Sequence, residues 1–230
     1  MPIISVASPK GGCGKTTTSI TLACELARKG LSVVIVDADP LMWSYKWGEL
    51  DGRPANIQVI GGVKAEDVAV VAMDAAERVD FVIVDSEGTG NLATANAVGA
   101  SDLVIIPVQG SAMDGEAGVL TLAMVASEGR KARRVIPAAV VLTRTRHIET
   151  RAVKALRERY QELNVQLMHT SIAERAAFNA LTDFGGDLVD LPKTEMGSNP
   201  MGAMQNAAEF AEEVLEIVQA IMPDYKMEVA

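Results

Sequence analysis

Aromatic side chains are scarce in this 230-residue chain, at 4% of residues, although hydrophobic residues make up 49%. A core short of rings has to be filled by Val, Ile, Leu, Ala and Met, as in buried parallel strands under covering helices. Cysteine is scarcer still. Cys13 and Cys24 are the only two, too few for a disulfide framework and not spaced as a zinc-ligand pair, so both are expected as reduced thiols. No apolar run approaches the ~20 residues of a membrane span. The first residues carry neither a charged leader nor a small-residue cleavage site, so a soluble, cytoplasmic protein is expected. The length suits one domain over residues 1–230 and is short for two.

An excess of basic charge is also missing. The formal net charge is −9, which on its own argues against nucleic-acid binding. The distribution is uneven, however. Residues 1–129 sum to −8 and residues 160–230 to −9, whereas residues 130–159 sum to +8, with ten Lys/Arg against two Glu. One basic segment therefore sits inside an acidic protein.

What the chain does have is alternation of short β-branched runs with longer helical patterns. Strands are expected at residues 3–8, 32–36, 57–60, 81–84, 103–106 and 138–142, with a last one at 165–168. Helices are expected at about 15–29, 64–78, 114–128, 149–163 and 201–221, and a surface loop at about 185–200. Strands separated by 10–15-residue helical stretches specify βαβ units. The expected fold is a single-domain α/β architecture, a mostly parallel twisted sheet with helices on both faces.

Between the first strand and first helix stands Lys10-Gly11-Gly12-Cys13-Gly14-Lys15-Thr16-Thr17. Gly11, Gly12 and Gly14 admit backbone conformations closed to residues with a Cβ, so several N–H groups can converge on a phosphate. The helix that follows adds its own unpaired N–H groups and positive dipole end. Lys15 supplies charge to the β- and γ-phosphates, and the Thr16 hydroxyl is placed for Mg²⁺. The residues point to a phosphate-binding loop for ATP/ADP with Mg²⁺, formed by Gly11, Gly12, Cys13, Gly14, Lys15, Thr16 and Thr17. Cys13 reads as a small filler. Two hydrophobic strands end in carboxylates, at Val36-Asp37-Ala38-Asp39-Pro40 and Val82-Ile83-Val84-Asp85, the edge where open parallel sheets bind ligands. An aspartate in such a place is also a common turn or cap residue.

The loop departs from the usual pattern in two places. Pro9 stands where the first glycine is expected, and Lys10 adds a second lysine. With these features the chain resembles the deviant-Walker ATPases of the ParA/MinD group, and the small ParF-like plasmid partition proteins in length. The resemblance also covers Asp37 to Pro40, the strand ending at Asp85, and Ile105-Ile106-Pro107-Val108. It implies that Lys10 reaches across a homodimer interface to the partner's nucleotide, and that Asp39 positions the attacking water and metal. Asp85 would hold Mg²⁺ through water, and Lys10, Lys15 and Asp39 would form the catalytic set of an ATPase with weak intrinsic activity. After Asp85 come Ser86-Glu87-Gly88-Thr89-Gly90, where many relatives have prolines, and Thr143-Arg144 falls where relatives place an adenine contact.

Other branches of the group fit less well. An acidic C-terminal region, with Glu209, Glu212, Glu213, Glu216, Asp224 and Glu228, would be repelled by anionic lipid, so no membrane partner is expected. An iron–sulfur carrier needs cysteines that this chain lacks. The DNA-segregation branch remains, with a small DNA-binding adaptor as expected partner. Non-specific DNA would be met by a patch of Arg130, Lys131, Arg133, Arg134, Arg144, Arg146, Arg151, Lys154, Arg157 and Arg159 contacting phosphates without reading bases. A solvated, salt-bridged helix face is the alternative. Positioning of a non-DNA cargo, a conjugative-transfer accessory role and a small-molecule ATP-dependent ligase stay open. Trp43, Tyr45 and Trp47 form a dense aromatic cluster, read either as a partner surface or as packing.

Overall fold

The computed structural model describes residues 1–88, 92–146, 149–192, 194–197 and 199–225. Thr89, Gly90 and Glu228, which figured in the sequence reading, lie outside the described residues, as do positions 193 and 198 of the expected surface loop. The elements run in the order β1 (Ile3–Val6), α1 (Lys15–Arg28), β2 (Val33–Ala38), α2 (Trp43–Gly48), β3 (Ile57–Ile60), α3 (Val68–Ala76), β4 (Phe81–Ser86) and α4 (Leu92–Ala100). They continue with β5 (Leu103–Val108), α5 (Ala112–Ala132), β6 (Ala138–Thr145), α6 (Arg151–Glu162), β7 (Ile172–Ala173), α7 (Ala176–Phe184) and α8 (Pro200–Ile221). The strands form one seven-stranded sheet in the order β3-β2-β4-β1-β5-β6-β7. Every pairing in it is parallel.

The strands are buried throughout because both sheet faces are covered, and successive side chains go to opposite sides. Ile4, Val33, Ile35, Phe81, Ile83, Ile105 and Val141 pack with α1, α7 and α8. Their neighbours Ile3, Val34, Val36, Val82 and Val84 meet α3 and α4 on the opposite face. Val104, Ile106, Val140 and Leu142 continue that face under α5 and α6. This is the two-faced parallel sheet that the alternating pattern calls for.

Helix ends follow local chemistry. Ser111 and Thr150 cap α5 and α6 by accepting from the backbone N–H of Asp114 and Val153, and Asn199 with Pro200 starts α8. The limits differ from the sequence reading in several places. β2 runs on through Asp37 and Ala38, because Asp37 and Ala38 pair with Asp85 and Ser86 of β4. The run at 165–168 makes a single bridge, Leu167 to Val140, and the last strand is instead β7, beyond an irregularity in β6 at Thr143 and Thr145. α2, α4 and α7 had no counterpart in the sequence reading. α2 is built from Trp, Tyr and Ser, weak helix formers, and is held by tertiary bonds described below.

Candidate nucleotide site

The glycine-rich loop leaves β1 at the carboxyl edge of the sheet and enters α1. Gly12 and Gly14 have φ of 73° and 97°, a left-handed region open to glycine. A Cβ at Gly11 or Gly12 would meet nothing within 4 Å, so these glycines leave room above the loop rather than easing packing below it. α1 starts with no side-chain cap and no acid in its first turn, which leaves N–H groups for an anion. Two side chains hold the loop from beneath. The Thr143 hydroxyl donates to the Cys13 carbonyl at 2.7 Å, and the Gln109 amide donates to the Gly12 carbonyl at 2.8 Å. Cys13 is buried, in keeping with a filler. Lys15, only 8% exposed, folds over the loop and donates to the Lys10 carbonyl at 3.2 Å.

A cavity of about 770 Å³ opens over the loop, lined by Gly11, Gly12, Gly14, Lys15, Thr16 and Thr17 together with Asp39, Trp43, Glu87 and Arg144. The fold thus brings residues from four loops to one place. A smaller cleft of about 110 Å³ adjoins it, between Thr17, Thr143, Arg144, Phe178 and Asn179.

The two strand-end aspartates of the Asp-x-Asp motif do different work. Asp37 is buried and fully engaged, accepting from Asp39 N–H at 3.0 Å and Tyr45 N–H at 2.8 Å. Burial raises its carboxyl, and those backbone bonds work against the rise. Asp37 therefore anchors α2 and aims the next residues. Asp39 reaches the cavity and accepts from Leu41 N–H at 2.8 Å. Asp85 pairs with Asp37 across the sheet and is 1% exposed. Its Oδ2 accepts from the Ser44 hydroxyl at 2.7 Å, while its buried Oδ1 has no hydrogen-bond partner among the described residues. Burial pushes its carboxyl up to about 6, with Ser44, Thr16 and Lys15 pulling it back.

An orphaned carboxylate oxygen beside Thr16 and Lys15 suits a hydrated divalent cation. Among the described residues no group of three or more His, Cys, Asp or Glu could hold a metal. Mg²⁺ is the cation that needs no such cage, since it keeps its waters and takes one or two protein ligands plus phosphate. Thr16 and Asp85 would hold it here. A stability consequence follows. The Asp85 carboxyl is raised on folding, so its penalty is absent below its ordinary value of 3.8 and complete above about 6. Asp85→Asn keeps an acceptor for Ser44 and removes the charge. At neutral pH and without metal or nucleotide, it is expected to stabilise the fold by about 3 kcal/mol, seen as a melting temperature higher by roughly 6–12 °C. A lower melting temperature would contradict this reading of the carboxylate.

Lys10 does not enter the cavity beside its own loop. Its ammonium is paired with Asp114 of α5, whose other oxygen accepts from the Ser111 hydroxyl. Burial acts to raise the Asp114 carboxyl, but Lys10 and Ser111 outweigh it and hold it below its ordinary value. The sequence reading missed Asp114 and Ser44. Ser111-x-x-Asp114 is a helix-start signal, but nothing local ties it to a lysine 104 positions earlier.

The aromatic cluster divides. Trp47 is buried and its indole N–H donates to the Gly186 carbonyl at 3.1 Å. The Tyr45 ring lies against Gly61, and Trp43 alone is exposed at the cavity wall with Lys46 over its ring.

The basic segment also divides, which corrects the expectation of a single patch. α5, about 30 Å long, carries Arg130 and Lys131 in its last turn, with Arg133 and Arg134 just beyond. α6 starts beside the opposite end of α5, with Val153 against Gly110 and Leu156 against Gly115. Arg151, Lys154 and Arg157 therefore lie toward the carboxyl edge, far from the first group. Several members are engaged: Arg134 donates to the carbonyls of Gly99 and Ser101, Lys131 pairs with Glu128, Arg146 with Glu174 and Arg157 with Glu149. Arg151 and Lys154 are exposed, as are Arg130 and Arg133. Among the described residues no helix is long and apolar enough to cross a membrane.

Comparison with known proteins agrees with this geometry. Residues 4–188 match the model of the CobQ/CobB/MinD/ParA nucleotide binding domain. The chain is 34% identical over 212 residues to protein ParA of Rhizobium radiobacter, covering 92% of this chain and 95% of that one. It is 31% identical over 224 residues to maintenance of carboxysome distribution protein A of Halothiobacillus neapolitanus, covering 96% of each. Among solved structures, the septum site-determining protein MinD of Pyrococcus horikoshii, complexed with Mg-ADP, superposes with a TM-score of 0.71 at 18% identity. That match covers 96% of this chain and 98% of the other.

Proposed function

The chain belongs to the CobQ/CobB/MinD/ParA nucleotide-binding family, and from that membership and its site we propose that it is an ATP-hydrolysing partition protein. In this reading ATP occupies the cradle of Gly11, Gly12, Gly14, Lys15, Thr16 and Thr17. Two subunits close face to face, each giving Lys10 to the other's phosphates. Mg²⁺ held at Thr16 and Asp85 would supply charge neutralisation of the phosphates. Asp39 orients the attacking water, Lys15 meets the β- and γ-phosphates, and Thr16 with Asp85 fixes the metal. Hydrolysis is slow until a small DNA-binding adaptor stimulates it, and product release parts the subunits.

The observation that carries the reading is the position of Lys10. Its backbone belongs to the loop, yet its ammonium is turned away from the loop's own cavity and held by Asp114. A lysine at that place adds nothing to its own cradle and is available to a second copy. The likeness to a protein named ParA over nearly the whole chain supports the cellular role.

The cargo in this reading is duplex DNA, met through its phosphates by exposed Arg130, Arg133, Arg151 and Lys154. Two separated clusters per subunit give the dimer about six or more phosphate contacts. Retention of random duplex DNA on a filter is then expected only with ATP, with affinity falling roughly a thousandfold between 50 and 200 mM salt. A second reading, positioning of a protein assembly instead of DNA, is favoured by the likeness to a carboxysome distribution protein. No ATP-dependent retention at low salt would support that cargo and remove DNA.

A further inference from the structure

Resting on the reading of this cradle as a Mg²⁺–nucleotide site, we propose that Ser44 is a positioning residue. Its hydroxyl fixes the rotamer of Asp85 so that one carboxylate oxygen is kept for the metal's hydration shell.

Ser44 lies in the first turn of α2, between exposed Trp43 and half-buried Tyr45, and is itself fully buried. A serine near a helix start usually bonds to nearby backbone. This one instead reaches across to β4, 41 positions along the chain, and donates to Asp85 Oδ2 at 2.7 Å. The bond is selective between the two oxygens. Oδ2 is taken, while Oδ1 is buried and has no hydrogen-bond partner among the described residues. An ionised carboxylate accepts several donors; Ser44 occupies Oδ2, Thr16 also acts on the carboxyl, and Oδ1 stays without a hydrogen bond among the described residues. Without the Ser44 hydroxyl, the carboxylate is free to rotate and present either oxygen or both to other donors.

Ser44 is not needed to hold α2. That task falls to Asp37, which accepts from the Tyr45 N–H, and to Trp47, buried and bonded to the Gly186 carbonyl. The two aspartates paired in register thus divide the work: Asp37 holds the helix, and the helix holds Asp85 through Ser44. Groups that orient a metal-bound ligand commonly change metal affinity ten- to hundredfold when removed.

The test measures binding of a fluorescent ADP analogue against Mg²⁺ concentration, with EDTA as the metal-free reference, for wild type, Ser44→Ala and Ser44→Thr. Ser44→Ala is expected to bind the analogue in EDTA as wild type does and to melt within a few degrees of it. Its Mg²⁺ midpoint is expected to rise roughly ten- to hundredfold. Ser44→Thr keeps the hydroxyl and returns the midpoint to within about threefold of wild type. A wild-type midpoint in Ser44→Ala overturns the proposal, and so does equal loss of binding in EDTA, which marks a merely structural serine. A Ser44→Thr variant that melts like wild type but keeps the alanine midpoint overturns it too. If wild type itself binds no analogue, or ignores Mg²⁺, the reading of the cradle fails and not the assignment of Ser44.

Discussion

Lys15→Ala is expected to reduce ATP and ADP binding by roughly a hundredfold or more, to the point of no measurable saturation. Lys15 is 8% exposed over the loop, and among the described residues its ammonium makes one hydrogen bond, to the Lys10 carbonyl. In such a place a cation is little screened by water, and removing one member of a buried charge pair costs about 2–5 kcal/mol. The N–H groups at the start of α1 remain, but partial charges do not replace a full one facing three to four phosphate charges. The empty protein is expected to lose at most a few degrees of melting temperature, since Lys15 is the smallest of the influences on the buried Asp85 carboxyl. Calorimetric titration separates the two effects. Near-wild-type affinity in Lys15→Ala would remove the cradle from the account.

Lys10→Ala is expected to leave binding of nucleotide to the monomer within a few fold of wild type while abolishing ATP-dependent dimers. This variant strips Asp114 of its ion-pair partner, so a loss of fold is a competing explanation. Asp114 is buried, whereas Lys10 is 39% exposed, and a half-wet pair is worth only about 1 kcal/mol. Ser111 still donates to the carboxylate. The combined Lys10→Ala, Asp114→Asn variant removes the stranded charge and is expected to melt like wild type. It should remain monomeric in ATP. Recovery of dimers in that double variant would mean that Lys10 matters only as a mate for Asp114.

Much of the candidate site was legible because its residues are local. Lys15, Thr16 and the glycines occupy consecutive positions, and a strand–turn–helix order gives them meaning. Asp39 and Asp85 were legible as acids ending apolar runs. The sheet was readable for the same reason, since strands buried on both faces are written as unbroken Val and Ile. The short helices were not. α2 follows a left-handed Met42 and is built of Trp, Ser, Tyr, Lys and Gly, mostly weak helix formers; it exists because Asp37 and Trp47 hold it. α4, nearly half alanine, has no apolar stripe to announce it. Ser44 and Asp114 belong to the same class of miss, because each acquires its role from a partner far along the chain. The basic segment shows the converse error. Ten cations close in sequence became two groups, because α5 carries the chain the full depth of the sheet before β6 brings it back.

The most direct test mixes two crippled proteins. Lys10→Ala keeps Lys15 and binds ATP but has no lysine to lend; Lys15→Ala holds no ATP but can lend Lys10. Sedimentation in ATP and Mg²⁺ is expected to show each alone as a monomer and the mixture as dimers with one nucleotide per pair. A mixture that stays monomeric, while wild type pairs, would contradict the lending of Lys10 between subunits.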